Sequence, residues 1–283
     1  MINDETERQY NARLSIPEHP QIFARWAERS LEARRELPCV LDVNYDETSV
    51  KTAGTTLDVF PADGESKALL MYIHGGYWRS LDKSDCSYLA QAFRPSGVTL
   101  ALVNYDLAPR VSIAHIVGQM LKASAWLWRN AGAFGADRSR MFVAGHSAGG
   151  HLTAMMLAAQ WPRYAHDLPA KLFQGGLAIS GLYDLRPLLG ASVNDDLKLD
   201  RAEAHRVSPA FLPPATDAQL MTAVGGLESD EFKRQNALIA ARWSSCFRRD
   251  IAMPGFNHLT IAEELGNSSS ALFTGALELM GVD

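Results

Sequence analysis

Short apolar, β-branched-rich runs alternate along this chain with longer stretches of helical periodicity. The runs fall at 68–73, 98–103, 140–144, 176–179, 219–224 and 251–253. Their nearly unbroken apolar character predicts strands covered on both faces, as in a parallel sheet. Between the second and third runs, Ile116, Met120, Ala123 and Leu127 form one stripe, with Val117, Leu121 and Trp128 beside it. That spacing is the signature of an amphipathic helix. Further helices are predicted over 151–161, 231–243 and about 270–280. The order is strand, crossover helix, strand throughout, which predicts an α/β fold with a mostly parallel central sheet and helices on both faces.

Two segments depart from the alternation. Residues 1–37 read as an N-terminal helical arm, and 185–217, rich in Pro, Leu and charged residues, is too long for a simple connection. It reads as a cap-like insertion over the active-site edge. With no repeat, low-complexity tract or Gly/Ser linker, residues 1–283 are expected to form a single domain.

The composition, 47% hydrophobic and 21% charged, is that of a globular chain rather than a disordered or fibrous one. Lys and Arg total 27 against 32 Asp and Glu, so there is no basic footprint for nucleic acid or anionic lipid. The first twenty residues lack the basic start and apolar run of a signal peptide, and no stretch nears the ~18 apolar residues of a membrane span. A cytoplasmic protein is expected. Cys39, Cys86 and Cys246 are odd in number and widely spaced, with no metal-ligand pattern, so neither disulfides, a metal nor a cofactor is expected.

The candidate chemistry begins at residue 145. An apolar strand runs into Gly145-His146-Ser147-Ala148-Gly149 and then into a helical pattern. A serine raised on so sharp a strand-to-helix turn needs near-absent side chains two before and two after it, and its Oγ then stands beside a helix N-terminus. Ser147 is the candidate nucleophile. A serine hydroxyl needs a histidine to take its proton and an acid to fix that histidine's tautomer, in the order Ser, Asp or Glu, His. Of eight histidines, only His258 lies beyond the last two predicted strands, after the loop Met253-Pro-Gly-Phe-Asn257, where the base belongs. For the acid, Glu228 precedes a Ser229 N-cap and is free to turn toward His258. Asp230 and Glu231 of the same loop are first-turn residues suited to the helix dipole; Asp230 and, after the preceding strand, Asp184 stay open as alternatives.

His74-Gly75-Gly76-Tyr77-Trp78 directly follows the first strand of the set. Such a glycine pair lets bare amides approach a ligand, so Gly75, Gly76 and Tyr77, with Ala148, are the candidate oxyanion hole. His74 reads as a tie for this loop rather than a base. Tyr77, Trp78 and His146 are candidates for lining the substrate pocket.

HGGYW from His74, GHSAGGHL around Ser147 and SGLYDLRPL from Ser180 resemble the α/β-hydrolase kynurenine formamidases (arylformamidases), relatives of the hormone-sensitive-lipase-type esterases. Further likeness lies in Tyr10-Asn11-Ala12-Arg13, in Asn194-Asp195-Asp196-Leu197 to Ser208-Pro209 and in Glu228 to Gln235. Glu228 stands where that family commonly has Asp, and Leu259 follows His258 where it usually has Phe. The resemblance implies Ser147, Glu228 and His258 as a triad, no cofactor, and an arm and insertion that help close the pocket. It implies cleavage of an N-formyl or N-acyl arylamine of the N-formylkynurenine type through an acyl-enzyme. A carboxylesterase of short-chain or aryl esters is the alternative on the same machinery, and a binding protein on a hydrolase scaffold is the non-enzymatic one. The expected partner is a small-molecule amide or ester, with a homodimer left open.

Overall fold

The computed structural model describes residues 2–48 and 50–282. Eight strands form one sheet: β1 (Val40–Asn44), β2 (Thr56–Phe60), β3 (Ala68–Ile73), β4 (Val98–Val103), β5 (Met141–His146), β6 (Gly175–Ile179), β7 (Gln219–Gly225) and β8 (Phe247–Met253). Their spatial order is β1-β2-β4-β3-β5-β6-β7-β8; β1 and β2 pair antiparallel and the rest of the sheet, from β4 onward, is parallel. The helices, in chain order, are α1 (Asp4–Tyr10), α2 (Ala12–Ser15), α3 (His19–Glu36), α4 (Ala90–Phe93), α5 (Ile113–Asn130), α6 (Ala148–Leu157), α7 (Trp161–Tyr164), α8 (Asn194–Leu197), α9 (Arg201–Arg206), α10 (Asp230–Arg242), α11 (Thr260–Glu264) and α12 (Ala271–Met280).

The strand period of two divides the interior into two cores. Along β3, Leu69, Met71 and Ile73 face a layer containing α5, α6 and α10, while Ala68, Leu70 and Tyr72 face a layer containing α3, α11 and α12. The crossover stripe lands as its periodicity requires, with Ile116, Met120, Ala123 and Leu127 buried on the inner face of α5. Among the described residues, no helix is long and apolar enough to cross a membrane.

Two strands are absent from the sequence-based reading, and both have a physical reason. β1 is an edge strand whose first three residues are exposed, so it carries no apolar run. β2 is buried throughout, yet Asp58 interrupts its apolar pattern. That carboxylate is paid for by partners distant in sequence: it forms an ion pair with Arg34 of α3, sits 3.0 Å from Lys83 Nζ and accepts the Asp42 N–H at 2.8 Å. β8 begins four residues before its predicted start, because Arg248, Arg249 and Asp250 occupy its solvent-facing half and the two arginines pair with Glu278 of α12.

The N-terminal helices wrap the carboxyl edge of the sheet. Tyr10 packs into one core and Ile22 and Trp26 into the other. The segment after β6 holds two 3₁₀ turns with α8 and α9, and it meets the arm where Glu7 accepts the Ser192 N–H and hydroxyl, each at 2.8 Å.

Candidate active site

At the end of β5 the chain turns through Ser147 at φ 57°, ψ −115°, directly into α6. A non-glycine residue in this region carries local strain of about 1–3 kcal/mol, sustained by its surroundings. The flanking glycines are demanded by contact. A Cβ on Gly145 would lie 2.4 Å from the Gly149 carbonyl oxygen, and one on Gly149 would lie 1.9 Å from the carbonyl oxygen of Ile73 in β3. The turn therefore presses α6 against the neighbouring strand and holds Ser147 above the sheet edge.

His258 reaches this serine from the loop after β8. Asn257 fixes that loop, its Oδ1 accepting the N–H groups of Leu259 at 3.0 Å and Thr260 at 2.9 Å at the start of α11. The His258 Nε2 lies 3.0 Å from Ser147 Oγ, and its Nδ1 lies 2.6 Å from Glu228 Oε2. Glu228 is held in turn: its Oε1 accepts the Ser180 hydroxyl at 2.5 Å and the Gly225 N–H at 2.7 Å. All the groups of this relay are buried. With Nδ1–H donated to the carboxylate, the Nε2 lone pair faces the serine hydroxyl, the tautomer a general base needs.

Of the three carboxylates weighed for the acid, the structure brings only Glu228 to His258. Ser229 caps α10 as its sequence position suggests, which leaves Asp230 exposed in the first turn. Asp184 accepts from the Nε and Nη2 of Arg186, each at 2.9 Å. Ser180, which the sequence reading did not single out, has φ 49° at the end of β6 and thereby turns its hydroxyl onto Glu228. In the sequence it stands at the end of an apolar run and at the head of SGLYDLRPL, with nothing there to assign it a role of its own.

The loop after β3 passes the serine with Gly76, Tyr77 and Trp78 all at positive φ. Among the described residues, the N–H groups of Gly76, Tyr77 and Ala148 donate to no acceptor, which leaves three unpaired donors around the serine. Gly75 contributes by close approach: a Cβ there would meet the His146 carbonyl oxygen at 2.9 Å and Ser147 Cβ at 3.3 Å. Its own carbonyl accepts the Tyr105 hydroxyl at 3.0 Å and lies 2.9 Å from His74 Nδ1. His74 also lies 3.0 Å from Asn104 Oδ1 and stacks on Tyr105, so it ties the loop to the residues that follow β4.

The substrate-lining expectations divide. Tyr77 and His146 line the cavity that opens on Ser147, but Trp78 does not. Trp78 is fully buried and packs edge-on against His151 at 5.1 Å, because the turn at Tyr77 sends the next side chain into the core behind the loop. Burial, reinforced by the neighbouring His258, pushes the His146 imidazole well below its ordinary range. It is thus neutral, with Nε2–H donating to the His258 carbonyl at 2.7 Å. Burial likewise pushes His151 down to about 4, with Nε2–H donating to the Val207 carbonyl at 2.6 Å.

The cavity, counted together with the open solvent at its mouth, spans about 690 Å³. Its walls include Phe23 and Trp26 from the arm, Tyr77 and Leu81 from the oxyanion loop, Val193 from the segment after β6, and Leu259. Sequence periodicity gave no notice of Phe23 or Trp26 as lining residues, since each sits more than a hundred positions from the serine. Among the described residues, no group of His, Cys, Asp and Glu is arranged to hold a metal ion.

Comparison with known proteins agrees with this architecture. Residues 70–251 match a family model described as having the alpha/beta hydrolase fold. Kynurenine formamidase of Salmo salar is 30% identical over 302 aligned positions, covering 99% of this chain and 97% of that protein. An ethyl acetate hydrolase of Pseudomonas putida is 35% identical over 44% of this chain and 41% of its own. The crystal structure of a candidate thioesterase from Silicibacter sp. TM1040 superposes with a TM-score of 0.82 at 29% identity, covering 99% of each chain. With a strained serine at the strand-to-helix turn, the sheet order described above and this family match, the chain belongs to the α/β-hydrolase fold family, as a hydrolytic enzyme similar over its whole length to kynurenine formamidases.

Proposed function

We propose that this protein is a serine hydrolase that removes the formyl group from N-formylkynurenine-type arylamides, with Ser147 as nucleophile, His258 as general base and acid, and Glu228 as the orienting carboxylate. The observation that carries this reading is the buried Ser147–His258–Glu228 relay opening into an aromatic-walled cavity. The substrate class is drawn from the full-length similarity to proteins named kynurenine formamidase.

In the first half-reaction Ser147 Oγ attacks the formyl carbon while His258 Nε2 takes its proton. The carbonyl oxygen becomes the anion of a tetrahedral intermediate, met by the Gly76, Tyr77 and Ala148 amides, each such donor contributing on the order of 10²–10³ in rate. His258 then delivers the proton to the arylamine nitrogen as the C–N bond breaks, leaving formyl-Ser147. A water, deprotonated by His258, attacks the ester, and formic acid departs, ionising to formate in solution, as the proton on His258 returns to Ser147. Glu228 stabilises the imidazolium in both halves. An aniline-type leaving group lowers the barrier to C–N cleavage, and Tyr77, Phe23 and Trp26 offer aromatic surface for its ring.

The carboxylesterase reading uses the same groups and is favoured by the similarity to the ethyl acetate hydrolase over part of the chain. The deciding experiment is turnover of N-formylkynurenine beside p-nitrophenyl acetate and butyrate, with Ser147→Ala as the blank. A kcat/KM for formylkynurenine larger by orders of magnitude supports the formamidase; turnover of the esters alone assigns the protein to the esterases. The proposed setting is a reducing compartment such as the cytoplasm, supported by three cysteines that are all free thiols.

A further inference from the structure

The aromatic and aliphatic walls of the catalytic cavity are interrupted at its mouth by two guanidinium groups, Arg13 from α2 and Arg79 from the oxyanion loop, and by one carboxylate, Glu7 from α1. Two of these three charges are committed. Arg79 pairs with Asp196 of α8 at 2.5 Å. Glu7 accepts from the Ser192 N–H and hydroxyl and from Asn11 Nδ2, all at 2.8 Å. Arg13 is different: among the described residues it forms no ion pair, touching only Ser80 Oγ at 3.5 Å and the face of Phe23 at 5.3 Å. A guanidinium carries five N–H donors and matches a carboxylate in two-pronged geometry.

Placed where it is, this cation is poorly compensated. Partial burial, joined by repulsion from Arg79, pulls the Arg13 pKa down, so its surroundings lack the anion that would favour the charge. With Asp196 neutralising Arg79 and Glu7 engaged by Ser192 and Asn11, Arg13 is the cation of this lining that no carboxylate pairs among the described residues, and its guanidinium donors are available to an anion entering the cleft. The arm segment Tyr10-Asn11-Ala12-Arg13 is fixed in this position from both sides: the Tyr10 hydroxyl binds Glu231 of α10, and the Tyr77 hydroxyl donates to the Tyr10 carbonyl.

We propose that Arg13 is a specificity residue that binds a carboxylate on the leaving-group half of the substrate, so that the enzyme selects arylamides whose ring bears an acidic side chain. This rests on the acyl-transfer reading of Ser147 and deepens the proposed formamidase activity. The scissile group sits at Ser147, the ring lies against Phe23, Trp26 and Tyr77, and the acidic tail reaches the cavity mouth, where Arg13 holds it over the Phe23 ring. A neutral substrate fills the same walls and leaves Arg13 in water.

The test uses a matched pair, 4-(2-formamidophenyl)-4-oxobutanoate and its neutral carboxamide, which differ only in the charge of the tail. The wild-type protein is expected to prefer the anion in kcat/KM. Arg13→Gln is expected to lower the ratio of anionic to neutral kcat/KM by about 10- to 100-fold through KM, as loss of a charge-assisted pair predicts. Arg13→Lys should recover part of it. Equal effects of Arg13→Gln on both substrates, or an unchanged ratio, overturn the proposal. If neither amide is turned over while p-nitrophenyl acetate is, the formamidase reading fails separately. The Arg13 proposal is then read by competition, with 4-(2-aminophenyl)-4-oxobutanoate expected to inhibit ester hydrolysis at least 10-fold more tightly than its carboxamide in wild type but not in Arg13→Gln. Equal inhibition by the two in wild type overturns it.

Discussion

Replacing Glu228 by Gln tests the relay at the point where sequence alone left alternatives. The buried carboxylate accepts three hydrogen bonds, from His258, Ser180 and Gly225. The Gly225 N–H can only donate, so a glutamine must keep its oxygen on that side and turn its NH₂ toward His258 Nδ1. That nitrogen must then accept, and the ring proton moves to Nε2, where it faces Ser147 and the base is lost. The charge that stabilises the imidazolium is lost as well. For group centres about 4 Å apart in a surrounding of effective dielectric 20, that attraction is about 4 kcal/mol, or roughly a thousandfold in rate. With the wrong tautomer added, the expected fall in kcat approaches the ~10⁴ measured when a triad aspartate is replaced by asparagine. The assays are kcat/KM on p-nitrophenyl acetate and the rate of Ser147 labelling by an organophosphonate, which does not depend on the natural substrate. Asp230→Asn, at an exposed helix start, should change either by less than about twofold. A loss below tenfold in Glu228→Gln, or a larger loss in Asp230→Asn, refutes the assignment.

Three further predictions concern what holds the site in place. Gly149→Ala drives a Cβ to 1.9 Å from the Ile73 carbonyl oxygen of a central strand, so destabilisation at or above the upper end of the ~1–3 kcal/mol of overpacking is expected; a melting temperature close to wild type contradicts it. Asp58→Ala leaves Arg34 without its ion pair and removes one of two carboxylates from the buried Lys83, which should cost about 3 kcal/mol in denaturant unfolding, and a neutral result would show the cluster to be dispensable. Stability should also fall with pH through the buried imidazole of His151. Between its ordinary value of 6.5 and its folded value of about 4, the unfolded chain takes up a proton that the folded chain refuses. Stability is therefore full above about 6.5 and decreases by about 1.4 kcal/mol per pH unit toward 4, about 3 kcal/mol in all, with His146 acting in the same direction. His151→Gln should show a shallower slope in denaturant midpoints measured from pH 7 to 4.5, and an unchanged slope refutes the attribution.

The parts of this protein that were legible in its sequence are those set by near neighbours. Five of the eight strands announce themselves because a parallel strand covered on both faces is apolar nearly throughout, a sixth, β8, shows only its apolar end at 251–253, and the elbow at Ser147 is legible because its sterics involve residues only two positions away. His258 followed from chain order in the fold. What the tertiary structure decided depends on contacts between distant segments. Which of Glu228, Asp230 and Asp184 meets the histidine was settled by a cap at Ser229, an arginine beside Asp184 and the positive-φ Ser180 that turns its hydroxyl onto Glu228. Whether Trp78 faced substrate or core turned on the sign of φ at two successive residues. β2 was hidden by Asp58, whose charge is tolerable in a buried strand only because Arg34 and Lys83 arrive from elsewhere. Part of the cavity wall, Phe23 and Trp26, comes from an arm more than a hundred residues before the serine. Periodicity and local sterics are written in adjacent residues, whereas the satisfaction of a buried charge and the closing of a pocket are properties of segments that meet only once the chain has folded.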